Sequence, residues 1–185
     1  MPTMAVYVAF LRAINLGAKR KFPKDAIVSA TEAAGFAGVA TYINTGNVRI
    51  ETTMRSRARI ETALEQSYRD ATGFEVPTIV FSTAELRDVA PAAERLAAET
   101  DHVSWGVQHY VSLLKDEPEA ALVREMEECS RPGALARVSG RAAHLLVGEN
   151  YHQAPLTNAT VEKRLGVATN RNLTVVRAVV EKWCG

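Results

Sequence analysis

The feature that most constrains this chain is how its apolar spacing changes over residues 4–81. Residues 4–12 form a nearly continuous apolar run, through Val6-Tyr7-Val8-Ala9-Phe10-Leu11, that ends at Arg12. A run of that length and density predicts a central strand covered on both faces. Pro23-Lys24-Asp25 then opens a helix with Ile27, Ala30 and Ala34 on one face, closed by Gly35. Val39 to Asn44 and Val48 to Ile50 alternate as strands, and Thr45-Gly46 reads as a two-residue turn between them. Over residues 55–72, Ile60, Ala63, Leu64, Ser67, Tyr68 and Ala71 recur at helical spacing, with Gly73 as the stop. Val76 to Phe81 is a further strand. The order βαββαβ is that of a ferredoxin-like split βαβ unit, an α+β architecture.

The second half repeats the theme. Ser82-Thr83-Ala84-Glu85 is a capping box that starts a helix, which Pro91 breaks or kinks before it ends near Glu99. Val107 to Lys115 predicts a strand. Pro118 falls in the first turn of a helix carrying Leu122, Val123, Met126 and Cys129. Leu135 to Ser139 and Ala143 to Val147 form a hairpin around Gly140-Arg141, and helices near 157–165 and 171–183 follow. This is a related βαββα half with an extra C-terminal helix. The expected organisation is residues 1–82, a helical connection over 83–104, and residues 105–185. No Pro/Gly/Ser-rich linker intervenes, so the halves are expected to pack closely.

Several function classes lack their signatures. No apolar run approaches the ~20 residues of a membrane helix, and the N-terminus reads as a strand, not a signal peptide. Two cysteines, Cys129 and Cys184, are too few for a disulfide framework, which points to a cytoplasmic protein with free thiols. Neither G-x-x-x-x-G-K-[ST], G-x-G-x-x-G nor G-x-S-x-G occurs. His102, His109, His144 and His152 have no zinc-ligand spacing, so no metal and no cofactor is expected; His109 and His144 read as ordinary strand residues.

Charge is uneven although the net is +1. Residues 1–50 carry net +4, residues 51–130 net −8 and residues 131–185 net +5. Two readings are open: the basic ends form one positive face, or the middle helices are simply acidic and solvated. Three polar stretches could carry a site. In the first, Arg12, Asn15, Gly17, Lys19 and Lys21 follow the carboxyl end of the first strand, where α/β sheets commonly present ligands. Arg offers a fork suited to phosphate or carboxylate, while the alternative is a solvated charge run. In the second, Asn44 to Asn47 either rims a pocket or serves its own turn, and the turn reading is the stronger. The third holds Asn158, Arg171 and Asn172. Thr157 and Asn170 are candidate N-caps that would place Asn158 and Arg171 in first turns, where an anion would offset the unfavourable Arg–dipole interaction. A surface Arg171 paired with Glu149 or Glu162 is the alternative.

These stretches also carry a resemblance. Leu11-Arg12-Ala13-Ile14-Asn15-Leu16-Gly17 with its basic continuation, Thr41 to Val48, and Leu156-Thr157-Asn158-Ala159 with Glu162, Leu165-Gly166 and Thr169 to Asn172 are similar to the bacterial family called domain of unknown function 1697, from about Val6 to Val180. The resemblance implies an α+β fold with ferredoxin-like elements and brings no reaction with it. The family commonly has LRGINVGGK, where this chain has Ala13 and Ala18 for two glycines. It commonly has Arg-Asn-Trp, where this chain has Leu173, so aromatic base stacking is not available there.

Three functions follow as expectations. The first is a binding protein for a small anionic ligand or nucleic acid, through Arg12, Asn15, Lys19, Lys21 and Arg171. The second is an enzyme on a small polar metabolite, with Tyr151 and His152 as proton-transfer candidates. The third is a structural or partner-binding protein whose signature residues are consumed internally. The sequence leaves oligomeric state open.

Overall fold

The computed structural model describes residues 1–99, 108–148 and 156–185; His102, Glu149, Tyr151 and His152 lie outside them. Internal contacts divide the chain into two compact units, Met1–Glu85 with Glu181–Gly185, and Leu86–Val180.

The first unit contains β1 (Ala5–Leu11), α1 (Lys24–Ala33), β2 (Ala37–Tyr42), β3 (Asn47–Thr52), α2 (Arg57–Thr72) and β4 (Thr78–Ser82). The antiparallel sheet has the order β2-β3-β1-β4, which puts the apolar β1 run in an inner position. Val8, Ala9, Phe10 and Leu11 are all buried, so both faces of the strand are covered there. On one face, Ala9, Leu11, Val48, Ile50 and Val80 pack with Ile27 of α1 and Ile60, Leu64 and Tyr68 of α2. On the other, Phe10 meets Phe81 edge-on at 6.0 Å. α2 ends at Gly73 as its sequence predicts and starts at Arg57, two residues later than expected. Ser56 Oγ accepts from Arg59 N, and Gly73 closes the helix in the left-handed conformation.

The second unit contains β5 (Gln108–Leu114), α4 (Ala120–Glu127), β6 (Ala134–Ser139), β7 (Ala142–Val147), α5 (Asn158–Leu165) and β8 (Ala168–Asn172). Its sheet order, β6-β7-β5-β8, repeats the first position for position. The backbone ties repeat as well. Leu11 N donates to Gly46 O and Leu114 N to Arg141 O, each at 2.8 Å; Arg12 N donates to Pro77 O and Lys115 N to Val167 O, each at 2.9 Å. Both units are thus ferredoxin-like α+β folds. α3 (Thr83–Glu99) and α6 (Leu173–Trp183) complete the described elements.

Edge strands receive side-chain acceptors from neighbouring helices. Thr78 N and Val80 N of β4 donate to Glu65 and Glu61 of α2. Ala168 N of β8 donates to Glu162 of α5, and Val138 N of β6 to Glu127 of α4. Each carboxylate satisfies a donor that an edge strand would otherwise leave unmet.

The structure corrects several local expectations. The Gly140-Arg141 turn and the Ser82–Glu85 capping box form as predicted, but Tyr42 pairs with Asn47. The β2–β3 connection is therefore a four-residue loop, not a two-residue turn at Thr45-Gly46. Pro91 lies inside a continuous α3, and α4 begins at Ala120, beyond Pro118. The main correction is β8. The second half is βαββαβ followed by α6, and Arg171 and Asn170 lie in a strand instead of opening a helix. Ala-Thr-Asn-Arg-Asn has no apolar alternation, because as an edge strand β8 buries Thr169 and Arg171 in hydrogen bonds instead.

Candidate functional site

At the carboxyl end of β1 the chain enters a loop over residues 12–23 that holds three left-handed residues, Ala13 (φ 58°), Asn15 (φ 55°) and Gly17 (φ 69°). Asn tolerates this region and Gly favours it, whereas Ala13 is strained. Asn15 holds the loop closed. Its Nδ2 donates to Phe22 O (3.2 Å) and Asn44 O (2.8 Å), and its Oδ1 accepts from Phe22 N (2.8 Å). Its backbone N donates to Arg20 O. Arg20 donates to Ala13 O and Glu75 O while its guanidinium lies 4.5 Å from the Phe74 ring centre. Phe22 anchors the far end in the core, edge-on to Tyr68 at 5.3 Å. The loop is thus a built structure.

The β2–β3 loop packs onto it. Gly46 adopts φ 80°, and a Cβ there would lie 2.7 Å from Leu11 Cβ and 2.9 Å from Ile14 Cδ1. Asn47 is fully buried, and its amide donates to Tyr42 O (2.9 Å) and Thr45 Oγ1 (3.0 Å). The first two polar stretches of the sequence therefore meet in space, joined through Asn15 and Asn44.

Between them lies an open concavity of about 690 Å³ lined by Asn15, Gly17, Lys21, Pro23, Lys24, Asp25 and Asn44. The α1 N-terminus forms part of its wall. Pro23 occupies the N-cap and has no side-chain hydrogen bond to give. First-turn N–H groups have no acceptor inside a helix, so they leave partial positive charge at this wall. Exposed Lys21 and Lys24 add full charges, and Asp25 in the same first turn opposes them.

Of the sequence candidates, Asn15, Gly17 and Lys21 line this concavity. Arg12 stands half-buried at the loop's root and Lys19 is exposed on the same loop. Asn47 closes its own hairpin. The remaining three belong to the second unit and are engaged there. Asn158 Nδ2 donates to Ala168 O at 3.0 Å. Asn172 Oδ1 accepts from Thr174 N at 2.9 Å, so Asn172, not Asn170, caps the last helix. Arg171 is buried and donates to Thr169 Oγ1 (2.8 Å) and Asn170 O (2.9 Å). Burial lowers its pKa to about 10, which leaves it charged at neutral pH. Lys24 and Asn44 also line it: Lys24 ends the first polar stretch and Asn44 opens the second, for which the turn reading is the stronger, and the sequence singles out neither as a ligand contact. A Pro at a helix start with no Ser, Thr, Asp or Asn before it could have identified the uncapped wall. Among the described residues no group of three or more His, Cys, Asp or Glu side chains could hold a metal ion, and no helix is long and apolar enough to cross a membrane.

Two ferredoxin-like units, with a basic loop at the strand end of the first, define an α+β protein of duplicated topology. The chain belongs to a protein family of unknown function, DUF1697, whose model matches residues 4–144. The match takes in the first two signature stretches and stops before Leu156 to Asn172. No curated protein matches the chain. Among solved structures it is similar to conserved bacterial protein SP0830 from Streptococcus pneumoniae, with a TM-score of 0.74 and 16% identity, over 97% of this chain and 98% of that one. Identity that low speaks for the fold alone.

Proposed function

We propose that the first unit binds a small anionic ligand in the concavity between the 12–23 loop and the start of α1. The observation that carries this reading is the convergence of Lys21, Lys24 and the uncapped α1 N-terminus on one open concavity. Helix N-termini and lysines both favour phosphate or carboxylate groups. The hydrogen bonds of Asn15 and Arg20 fix the loop before any ligand arrives, which reduces the ordering cost of binding. A small ligand suits the site better than a nucleic-acid backbone, because Arg20 is committed to Ala13, Glu75 and Phe74 and does not extend the basic surface.

The test is fluorescence anisotropy with a labelled nucleotide, single-stranded RNA and duplex DNA at low and moderate salt. Lys21→Ala and Lys24→Ala are run alongside. The expected result is salt-sensitive nucleotide binding that weakens by about fivefold or more in each variant, with melting temperature unchanged. Equal binding by both variants and the parent would remove this site from consideration.

A structural reading draws on a different observation: Asn47, Arg171 and Asn172 are each used inside their own unit. It assigns these signature residues to the loops they hold, and it is compatible with a ligand at Lys21 and Lys24.

A further inference from the structure

We propose that the cleft of the second unit between α3, β6 and β7 binds a small oxyanion, with His144 Nε2–H and the Arg95 guanidinium as its donors. The inference is independent of the basic loop in the first unit. β5 and β7 are antiparallel, with Val111 opposite His144 and His109 opposite Leu146. This register puts the two histidines diagonally on one face. His109 Nε2 lies 2.9 Å from His144 Nδ1, and the rings meet edge-on at 5.2 Å. His144 is 2% exposed, and its other nitrogen, Nε2, has no hydrogen-bond partner among the described residues. A buried polar atom left unmet is costly, so such atoms commonly mark an absent partner.

His144 lines a cleft of about 160 Å³ together with Arg95, Glu99, Glu127, Arg137 and Ser139. The charges are not equivalent. Glu127 is committed to Val138 N of β6, and Arg137 Nη1 to Ala136 O and Ser130 Oγ. Arg95 and Glu99 are exposed on α3. Burial and the charge of Arg95 both hold His144 neutral, with its pKa lowered to about 4. A neutral imidazole has one N–H. We assign His109 Nε2–H as the donor in the 2.9 Å bond to His144 Nδ1; the single proton of His144 then sits on Nε2 and requires an acceptor. Next to a guanidinium, a negatively charged oxygen is the acceptor that satisfies both groups. The cleft is below the ~300–1,000 Å³ of drug-sized pockets, so the ligand class is a free phosphate or carboxylate, or the end of a larger molecule.

The test is nitrogen-detected NMR of the full chain labelled at histidine, titrated with inorganic phosphate and separately with acetate at matched ionic strength. The expected result is a protonated His144 Nε2 that shifts saturably with one or both anions. Comparing the two arms identifies the preferred oxyanion. Arg95→Gln, a substitution at an exposed position, should weaken that response by about tenfold or more. Lys21→Ala should leave it unchanged. Three results would overturn the proposal: an unprotonated Nε2, no saturable shift with either anion, or an identical response in Arg95→Gln.

Discussion

Gly46→Ala isolates the contact that joins the two signature loops of the first unit. At φ 80°, alanine pays the left-handed strain, about 1–2 kcal/mol relative to glycine. Its Cβ would also stand 2.7 Å from Leu11 Cβ, an atom fixed to the last residue of β1 that cannot swing away. Relief requires moving the loop, which stretches the 2.8 Å bond from Leu11 N to Gly46 O. Overpacking of this kind costs about 1–3 kcal/mol, and the stiffer unfolded chain returns about 0.4–1 kcal/mol. Together these leave a loss of about 3 kcal/mol. At about 2–4 °C per kcal/mol for a chain of this size, the melting temperature should fall by roughly 6–12 °C. Gly17→Ala is the control, because it has φ 69° and no atom within 4 Å of the added Cβ. It should lose only about 1 kcal/mol or less, the strain without the clash. Urea unfolding of both variants decides the matter. Equal losses within about 0.5 kcal/mol, the scale of an ordinary surface substitution, would refute the claim that Gly46 is required by contact with β1.

Three further outcomes follow from the same structure. Ala13→Gly should relieve the strain at φ 58° and change stability by between zero and about +1 kcal/mol, read by urea unfolding; a loss would contradict the strain. Asn15→Ala removes three side-chain hydrogen bonds and should cost about 2–4 kcal/mol, with faster limited proteolysis within residues 12–23. His144, beside His109 and Arg95, has a folded pKa of about 4 against 6.5 unfolded, so its contribution is intact above pH 6.5 and is lost as pH falls toward 4. Between pH 7 and pH 5 it should remove about 2 kcal/mol of stability, and His144→Gln should flatten that part of the profile.

Much of the fold was legible because apolar spacing is local. The β1 run, the α2 face with its Gly73 stop, the Ser82–Glu85 box and the Gly140-Arg141 turn are each written within a few residues. β8 was not legible for a physical reason. Its backbone pairing with β5 spans more than fifty residues, its half-buried Asn170 donates to Ser112 of that strand, and its buried Thr169 and Arg171 bond to each other, so no apolar pattern marks it. The Asn-rich ending looked like helix capping because Asn does cap the following helix, two residues later than the pattern suggested. In the candidate site, Asn15, Gly17 and Lys21 could be read from a basic loop after a buried strand. That Lys24 and Asn44 join them required the third dimension, since one comes from the next helix and the other from a hairpin whose pocket-rim reading the sequence ranked second.

The duplicated topology sharpens what is particular to the first unit. Both units tie the end of their first strand to the residue before the third and to the residue before the fourth, with the same donors and nearly the same lengths. The fold thus supplies the same strand-end position twice, but the chemistry placed there differs. In the first unit a loop from Arg12 to Pro23 carries Lys19, Arg20 and Lys21 and opens onto an uncapped helix start. In the second, the connection from Lys115 to Glu119 is short and acidic, and Arg141 holds its strand end by donating to Leu114 O (3.0 Å) and Lys115 O (3.1 Å). A buried arginine there fills the role that Asn15 and Gly46 share in the first unit, holding the strand end to its hairpin without a long loop. The sheet topology as such does not call for a basic loop at this position, since the second unit forms the same sheet order without one, although in the first unit the loop contributes Phe22 to the core. In the first unit that position is given to a segment held by at least six hydrogen bonds and a buried phenylalanine, so its backbone is committed inward while Lys19 and Lys21 stay exposed.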